Sequence, residues 1–289
     1  MSPRLKAALL TVSAVLMWGL GPVGIRYLLG DDHDALPGAA FTGLRYGLGA
    51  LCFLPAAISA LKCWDRQDLL AGLGLGVLGV AGYNLPNAIG MRTVSAGMCG
   101  LLNAAEPLLI VLLLCLKDMR WPRGATLGAA MIGVSGIVLL AHEAGPAEGD
   151  VKGVGFCLLG ALCWSGYCVL VPRLLAKHGE LPVTAVTMIC GAVPMLLAGS
   201  PEMGPMLREM TRMQWEITAA LTLGPAVLAM LAWNKGAAGL GAEASGWFLY
   251  LLPVVSMIGG VVQLGEPFTW PELAGGGLIL ASVFLAQRV

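Results

Sequence analysis

The chain has 289 residues, 57% of them hydrophobic and only 12% charged, with mean hydropathy +0.81 and a formal net charge of zero. A water-soluble domain carries about 25% charged residues, so this composition excludes an ordinary soluble globule and calls for lipid as a second solvent. The absence of net charge and of any long basic run argues against nucleic acid as a partner.

A membrane-spanning helix needs about 20 mostly apolar residues to cross a core of about 30 Å. Ten stretches qualify, some short or interrupted, near 7–29, 38–60, 69–91, 94–116, 124–142, 152–175, 182–199, 216–235, 242–264 and 271–287. The first follows Arg4 and Lys6 as a signal peptide would, but it is longer than a signal h-region and lacks a small-residue cleavage site, so it is read as retained. Helix-ending signals fill the short connections: Asp31-Asp32-His33-Asp34, Lys117-Asp118 and Trp121-Pro122-Arg123. Another such stretch, Gly145–Asp150, divides the chain into halves 1–146 and 147–289.

The halves repeat one another. Trp18 precedes Pro107 by 89 residues, Trp164 precedes Pro253 by 89, and the two pairs are offset by 146. The same offset superposes Leu28-Leu29 on Leu174-Leu175, Pro55 on Pro201 and Gly100 on Gly246. A unit of this length fits neither a solenoid nor a propeller. Five spans per unit set the second half upside down in the membrane, the arrangement of carriers whose sites lie near the midplane between the repeats. The predicted fold is therefore all-α and integral to the membrane, with ten transmembrane helices as two inverted five-helix repeats. With the N-terminus inside, eleven Lys and Arg fall in inner segments against five outside, which places both termini in the cytoplasm.

Glu106 is the sharpest chemical signal. It lies near the middle of the fourth stretch, before Pro107. A charged carboxylate there costs about 2.5 kcal/mol or more against lipid, so it should face protein or water. It is either a proton carrier or a structural acid satisfying backbone groups freed by Pro107. Asn103 lies one turn earlier. Asn84 and Asn87 are i, i+3 neighbours that either bond helix to helix or bind polar groups of a solute. The repeat counterpart of Asn87 is Trp233, beside Asn234, which predicts a polar-aromatic cluster on the third and eighth helices. Trp18 and Trp164 fall inside their helices, as cavity walls or as an interfacial belt. Trp247 and Tyr250 form an i, i+3 aromatic pair suited to a wall or to plain packing. Arg45 is expected to snorkel or pair with an acid, and Lys235 and Arg92 to mark helix ends.

The remaining signals are weaker. Eight scattered cysteines form no CxxC pair and read as small hydrophobes, so no metal site is expected. The three histidines, His33, His142 and His178, read as solvated surface groups. Gly74, Gly76 and Gly79 match a dinucleotide fingerprint without its strand–turn–helix context. Gly72-xxx-Gly76, Gly43-xxx-Gly47 and Gly124-xxx-Gly128 fit close helix packing.

Taken together, the duplicated unit, Trp18-Gly19 with its counterpart Trp164-Ser165, and the run Ala96–Pro107 ending Asn103-Ala104-Ala105-Glu106-Pro107 carry a resemblance. So do Arg45 in the second helix and the acids Asp118 and Glu266 after the fourth and ninth. The chain resembles the ten-helix EamA-type carriers of the drug/metabolite transporter superfamily over its whole length. It departs from the pattern at Leu252-Pro253, where no acid precedes the proline. The resemblance implies a central cavity, with Trp18, Asn84, Asn87, Asn103, Glu106, Trp164, Trp233 and Tyr250 as cavity candidates. It implies a secondary transporter of the bacterial inner membrane, exporting small metabolites such as amino acids by alternating access, with Glu106 as the proton-coupling candidate. The expected partners are a small-molecule substrate and membrane lipids, as a monomer or homodimer, with no cofactor. The alternatives are a passive facilitator or channel, and a membrane-embedded enzyme acting on a lipid-linked substrate.

Overall fold

A computed structural model describes residues 1–29, 35–91, 93, 99, 102–143, 151–264 and 270–286. Among these residues there is no strand, and the helices follow the ten apolar runs. We number them α1 (Pro3–Leu29), α2 (Gly38–Cys63), α3 (Arg66–Gly90), α4 (Glu106–Asp118), α5 (Gly124–Glu143), α6 (Val151–His178), α7 (Glu180–Glu209), α8 (Arg212–Leu240), α9 (242–264) and α10 (Trp270–Ala286). Six of them, α1, α2, α3, α6, α7 and α8, hold apolar windows long enough to cross a bilayer, while α5, α9 and α10 hold shorter ones.

Local chemistry sets the ends. Asp65 caps α3 by accepting the Asp68 N–H at 2.8 Å. Its counterpart at the 146-residue offset, Thr211, caps α8 in a capping box with Gln214. Gly179 (φ 79°) and Gly241 (φ 86°) turn α6 into α7 and α8 into α9 in the left-handed region that glycine tolerates.

Four helices are irregular, in matched pairs. α3 widens to a π-turn over Val77–Ala81, and α8 does so over Thr222–Leu228. The fourth span does not run through Glu106. A turn at 104–105 precedes α4, and Glu106 is the first residue of that helix. Its counterpart in α9 is a tight 3₁₀ segment, Trp247–Tyr250. Pro107 and Pro253 fall in the first turn after these breaks, where a missing N–H removes no helical bond. The expected mid-helix position of Glu106 is thus corrected to a helix start.

The helices interlock across the halves. α1 packs on α8 and α9, and in mirror fashion α6 packs on α3 and α4. α2 packs on α7, and α5 on α10. Each contact between halves recurs with the halves exchanged, as a pseudo-two-fold requires. Glycine lets these backbones approach. A Cβ on Gly43 would lie 2.7 Å from the Met195 carbonyl, and one on Gly136 the same distance from the Gly275 carbonyl. Gly72 and Gly76 likewise press on α7, whereas Gly124 and Gly128 face open space, so the third expected glycine pair does not pack.

Candidate functional site

The aromatic residues singled out by the repeat meet at the pseudo-axis. The Trp18 and Trp164 rings are 5.4 Å apart, edge to face at 87°. Trp233 closes the triangle at 5.4 Å from Trp18 and 5.9 Å from Trp164. Two tyrosines extend it: Tyr83 lies 5.8 Å from Trp164, and Tyr167 stacks on Trp164 at 5.2 Å and 18°. These spacings are those of favourable aromatic pairs. The Trp18 indole donates to the Pro225 carbonyl at 2.9 Å, inside the π-turn of α8. Backbone acceptors left over in a widened turn need such a partner.

Polar groups border this cage on the α3–α4 side. Asn103 Nδ2 donates to Tyr83 Oη at 3.4 Å and toward Cys99 Sγ at 3.7 Å. Cys99 Sγ donates to Asn87 Oδ1 at 3.0 Å, and Asn87 Nδ2 returns to the Tyr83 carbonyl at 2.9 Å. The loop of bonds ties the start of the broken fourth span to α3. Asn87 also packs against Gly160 of α6, so its amide is used between helices. Asn84 bonds its own helix at the Val80 carbonyl, 2.8 Å away.

Glu106 is 2% exposed, and its Oε1 finds no hydrogen-bond partner among the described residues. Its backbone carbonyl accepts from Ser165 Oγ at 3.2 Å, joining α4 to α6. Tyr83 lies within electrostatic reach of Glu106, Cys99, Tyr46 and Arg45. Two further buried atoms here lack partners among the described residues: Asn103 Oδ1 and Trp233 Nε1, the latter facing the Cys168 thiol without hydrogen-bond geometry. Buried polar atoms are almost always bonded, so three orphans around one cage mark it out.

Other residues lie elsewhere. Tyr250 is fully buried away from the tryptophans, in a separate core with Trp247, Ala130 and Ile279. Its hydroxyl donates to the Ala130 carbonyl at 3.4 Å, and Gly133 of α5 packs on its ring. Arg45 neither snorkels nor, among the described residues, forms an ion pair. It is buried over the rings of Phe41 and Tyr46, at 5.7 and 4.8 Å, which supply the negative face that an acid was expected to provide. His178 is not a solvated surface group: its ring stacks on Trp64 at 4.2 Å and meets Asp68 at 2.7 Å. Lys235 pairs with Glu180 at 3.1 Å. His33, Arg92, Ala96, Gly100, the Gly145–Asp150 boundary and Glu266 lie outside the described residues.

Two surface cavities flank this arrangement. One, about 190 Å³ and apolar, lies beside the helix break between Leu102, Ala105, Ile137 and Leu158. The other, about 310 Å³, opens between Leu36, Pro201, Glu202, Glu209 and Gln214, at the end of the bundle opposite the N-terminus. Neither includes the aromatic cage. Tyr83 and Tyr167 were not anticipated from the sequence, although Tyr83 sits one turn before Asn87 and Tyr167 one turn after Trp164.

Among the described residues, ten helical segments in two interlocked repeats, with orphaned polar groups buried where the repeats meet, define a polytopic membrane protein of the transporter class. The chain belongs to the EamA-like transporter family, whose model matches residues 5–141 and again 151–287. It is 29% identical over 85% of both chains to an uncharacterized transporter, YdfC, of Bacillus subtilis. It is 27% identical to a probable terminal-alkyne amino-acid exporter of Streptantibioticus cattleyicolor, covering 98% of this chain and 94% of that one. It is 25% identical over 88% of both chains to the aromatic amino acid exporter YddG of Ancylobacter novellus. A solved crystal structure superposes with TM-score 0.78 at 22% identity, covering 99% of this chain and 98% of the other, a likeness of fold.

Proposed function

We propose that this protein is a secondary exporter of small amphipathic metabolites of the amino-acid kind. It works by alternating access, the two five-helix repeats rocking about the cage formed by Trp18, Trp164 and Trp233. The observation that carries this reading is the buried Oε1 of Glu106, unpartnered beside an aromatic cage built from both repeats. A carboxyl held there at the start of a broken helix is placed to exchange a proton as the site opens to alternate sides. The Lys and Arg bias supports an orientation with both termini in the cytoplasm. The two relatives named as amino-acid exporters support the substrate class.

The test is transport into proteoliposomes under an imposed pH gradient, with a panel of amino acids and amino-acid analogues. Movement of at least one of them, with accelerated counterflow, is expected. Glu106→Gln should abolish the pH-driven component and retain counterflow. Unchanged pH dependence in that variant would remove Glu106 from the coupling step, and a panel that never moves would overturn the exporter reading.

A further inference from the structure

We propose that the site between the repeats takes a primary amine in one orientation: its ammonium toward Asn103 and Glu106 of the first repeat, and its hydrogen-bond-accepting end toward Trp233 of the second. The proposal rests on the reading of the cage as the substrate site and adds what the substrate must carry.

The orphaned atoms set the chemistry. Asn103 commits its amide NH₂ to Tyr83 and Cys99, which leaves its Oδ1, an acceptor, unpartnered. Glu106 Oε1, one turn further along, is likewise an acceptor without a donor. An ammonium group brings three donors and no acceptor, so it satisfies both oxygens together. Across the cage the orphan has the opposite sense. The Trp233 indole can only donate, its ring is fully buried, and its Nε1 has no hydrogen-bond partner among the described residues. A ligand that donates at one end and accepts at the other matches this set. The reverse orientation would aim lone pairs at Asn103 Oδ1 and Glu106 Oε1.

The walls agree with the ends. Tyr83 and Trp164 flank the acceptor side at 5.8 Å from one another and offer π faces to a cation. Trp18, fixed by its bond to Pro225, supplies an apolar wall between the two ends. Arg45 Nε is also unpartnered, but the guanidinium is engaged with the rings of Phe41 and Tyr46, and we assign it no ligand contact. Acceptors from one repeat and a donor from the other mean that a bound solute spans the interface that must move.

The experiment uses three probes sharing one phenyl side chain, L-phenylalanine, phenethylamine and 3-phenylpropionate, titrated against the purified protein by tryptophan fluorescence. L-Phenylalanine and phenethylamine are expected to bind, and 3-phenylpropionate at least tenfold more weakly. Asn103→Ala should weaken both amines about tenfold, and Asn103→Asp should tighten phenethylamine. Trp233→Phe, which keeps an aromatic ring but removes the N–H donor, should weaken L-phenylalanine more than phenethylamine. The proposal is overturned if 3-phenylpropionate binds as tightly as phenethylamine, if phenethylamine does not bind, or if Asn103→Ala affects all three equally. Amine binding without transport of any solute would sink the exporter reading and leave this one standing. Transport that discriminates by carboxylate alone would do the opposite.

Discussion

On the face that carries the N-terminus, the α2–α3 and α6–α7 connections meet through charge. Lys177 bonds Asp65 at 3.0 Å and also pairs with Asp68, His178 meets Asp68 at 2.7 Å, and the imidazole stacks on Trp64. Beneath them Glu180 holds Lys235, Tyr167 donates to Asn234 at 3.0 Å, and Asn234 donates to Thr184 at 2.8 Å. On the opposite face the equivalent segments meet through Leu28, Leu36, Phe41, Met206, Met210 and Leu221. There the counterparts of Tyr167, Asn234 and Thr184 are Gly21, Ala88 and Gly38. Among the described residues, directional bonds thus close one end and apolar packing the other; Asp31 and Asp32, the counterparts of Lys177 and His178, lie outside them. Directional bonds are lost together when the groups separate, whereas apolar contacts slide and re-form. The crevice beside Pro201 and Glu202, with Glu209 and Gln214 in its wall, lies on that opposite face.

The comparison can be broken first at its buried network. Asn234→Ala leaves the Tyr167 hydroxyl without its acceptor and should cost about 1–3 kcal/mol, read as a lower melting temperature in detergent. Ala88→Ser, at the counterpart position, should change stability by about 0.5 kcal/mol or less. Equal effects of the two would refute the asymmetry. A finer test pairs the two helix caps. Thr211→Ala removes only a cap, worth about 1 kcal/mol. Asp65→Ala removes a cap and a partner of Lys177, and should destabilise more. If the two are equal, the charged seam contributes nothing.

The smallest effects concern the exposed ions. Nitroxides at positions 62 and 176, in a background without native cysteines, report the separation of the seam by electron–electron resonance. Lys177→Gln should broaden the distance distribution slightly, and high salt should do the same to the parent protein, because exposed pairs are screened. The pH dependence has a definite sign. Asp65 accepts the Asp68 N–H and faces Lys177, which holds its carboxylate below the usual aspartate range. Its contribution is therefore full above about pH 4, the unfolded aspartate value, and is lost only as pH falls through its lowered folded value. Broadening that begins well above pH 4 would show that a group other than Asp65 governs the seam.

The helices were legible because each span is a mostly apolar run, even where a residue such as Arg45 or Glu106 interrupts it. The 146-residue offset also exposed Trp18, Trp164 and, through Asn87, Trp233. What stayed hidden depends on direction within a helix. A span bordered partly by lipid and partly by protein is apolar all round, so no stripe tells which face turns inward. Tyr83 and Tyr167 therefore gave no signal, and Tyr250 looked like a cage residue although α5 claims it. Arg45 misled for a related reason: its nearest aromatic partners are its own helical neighbours, which a search for acids passes over. The helix breaks before Pro107 and Pro253 and the π-turns near Gly79 and Pro225 all lay inside spans read as continuous.

Those widened turns have a mechanical consequence. A π-turn stores one residue more than an α-turn. Passing that residue along the helix, or giving it up, rotates everything beyond it by about 100° per residue without breaking the chain. In α3 the part beyond the turn carries Tyr83, Asn84 and Asn87, and in α8 it carries Trp233 and Asn234. Each repeat therefore holds a swivel directly behind one aromatic residue of the shared cage, Tyr83 in the first and Trp233 in the second.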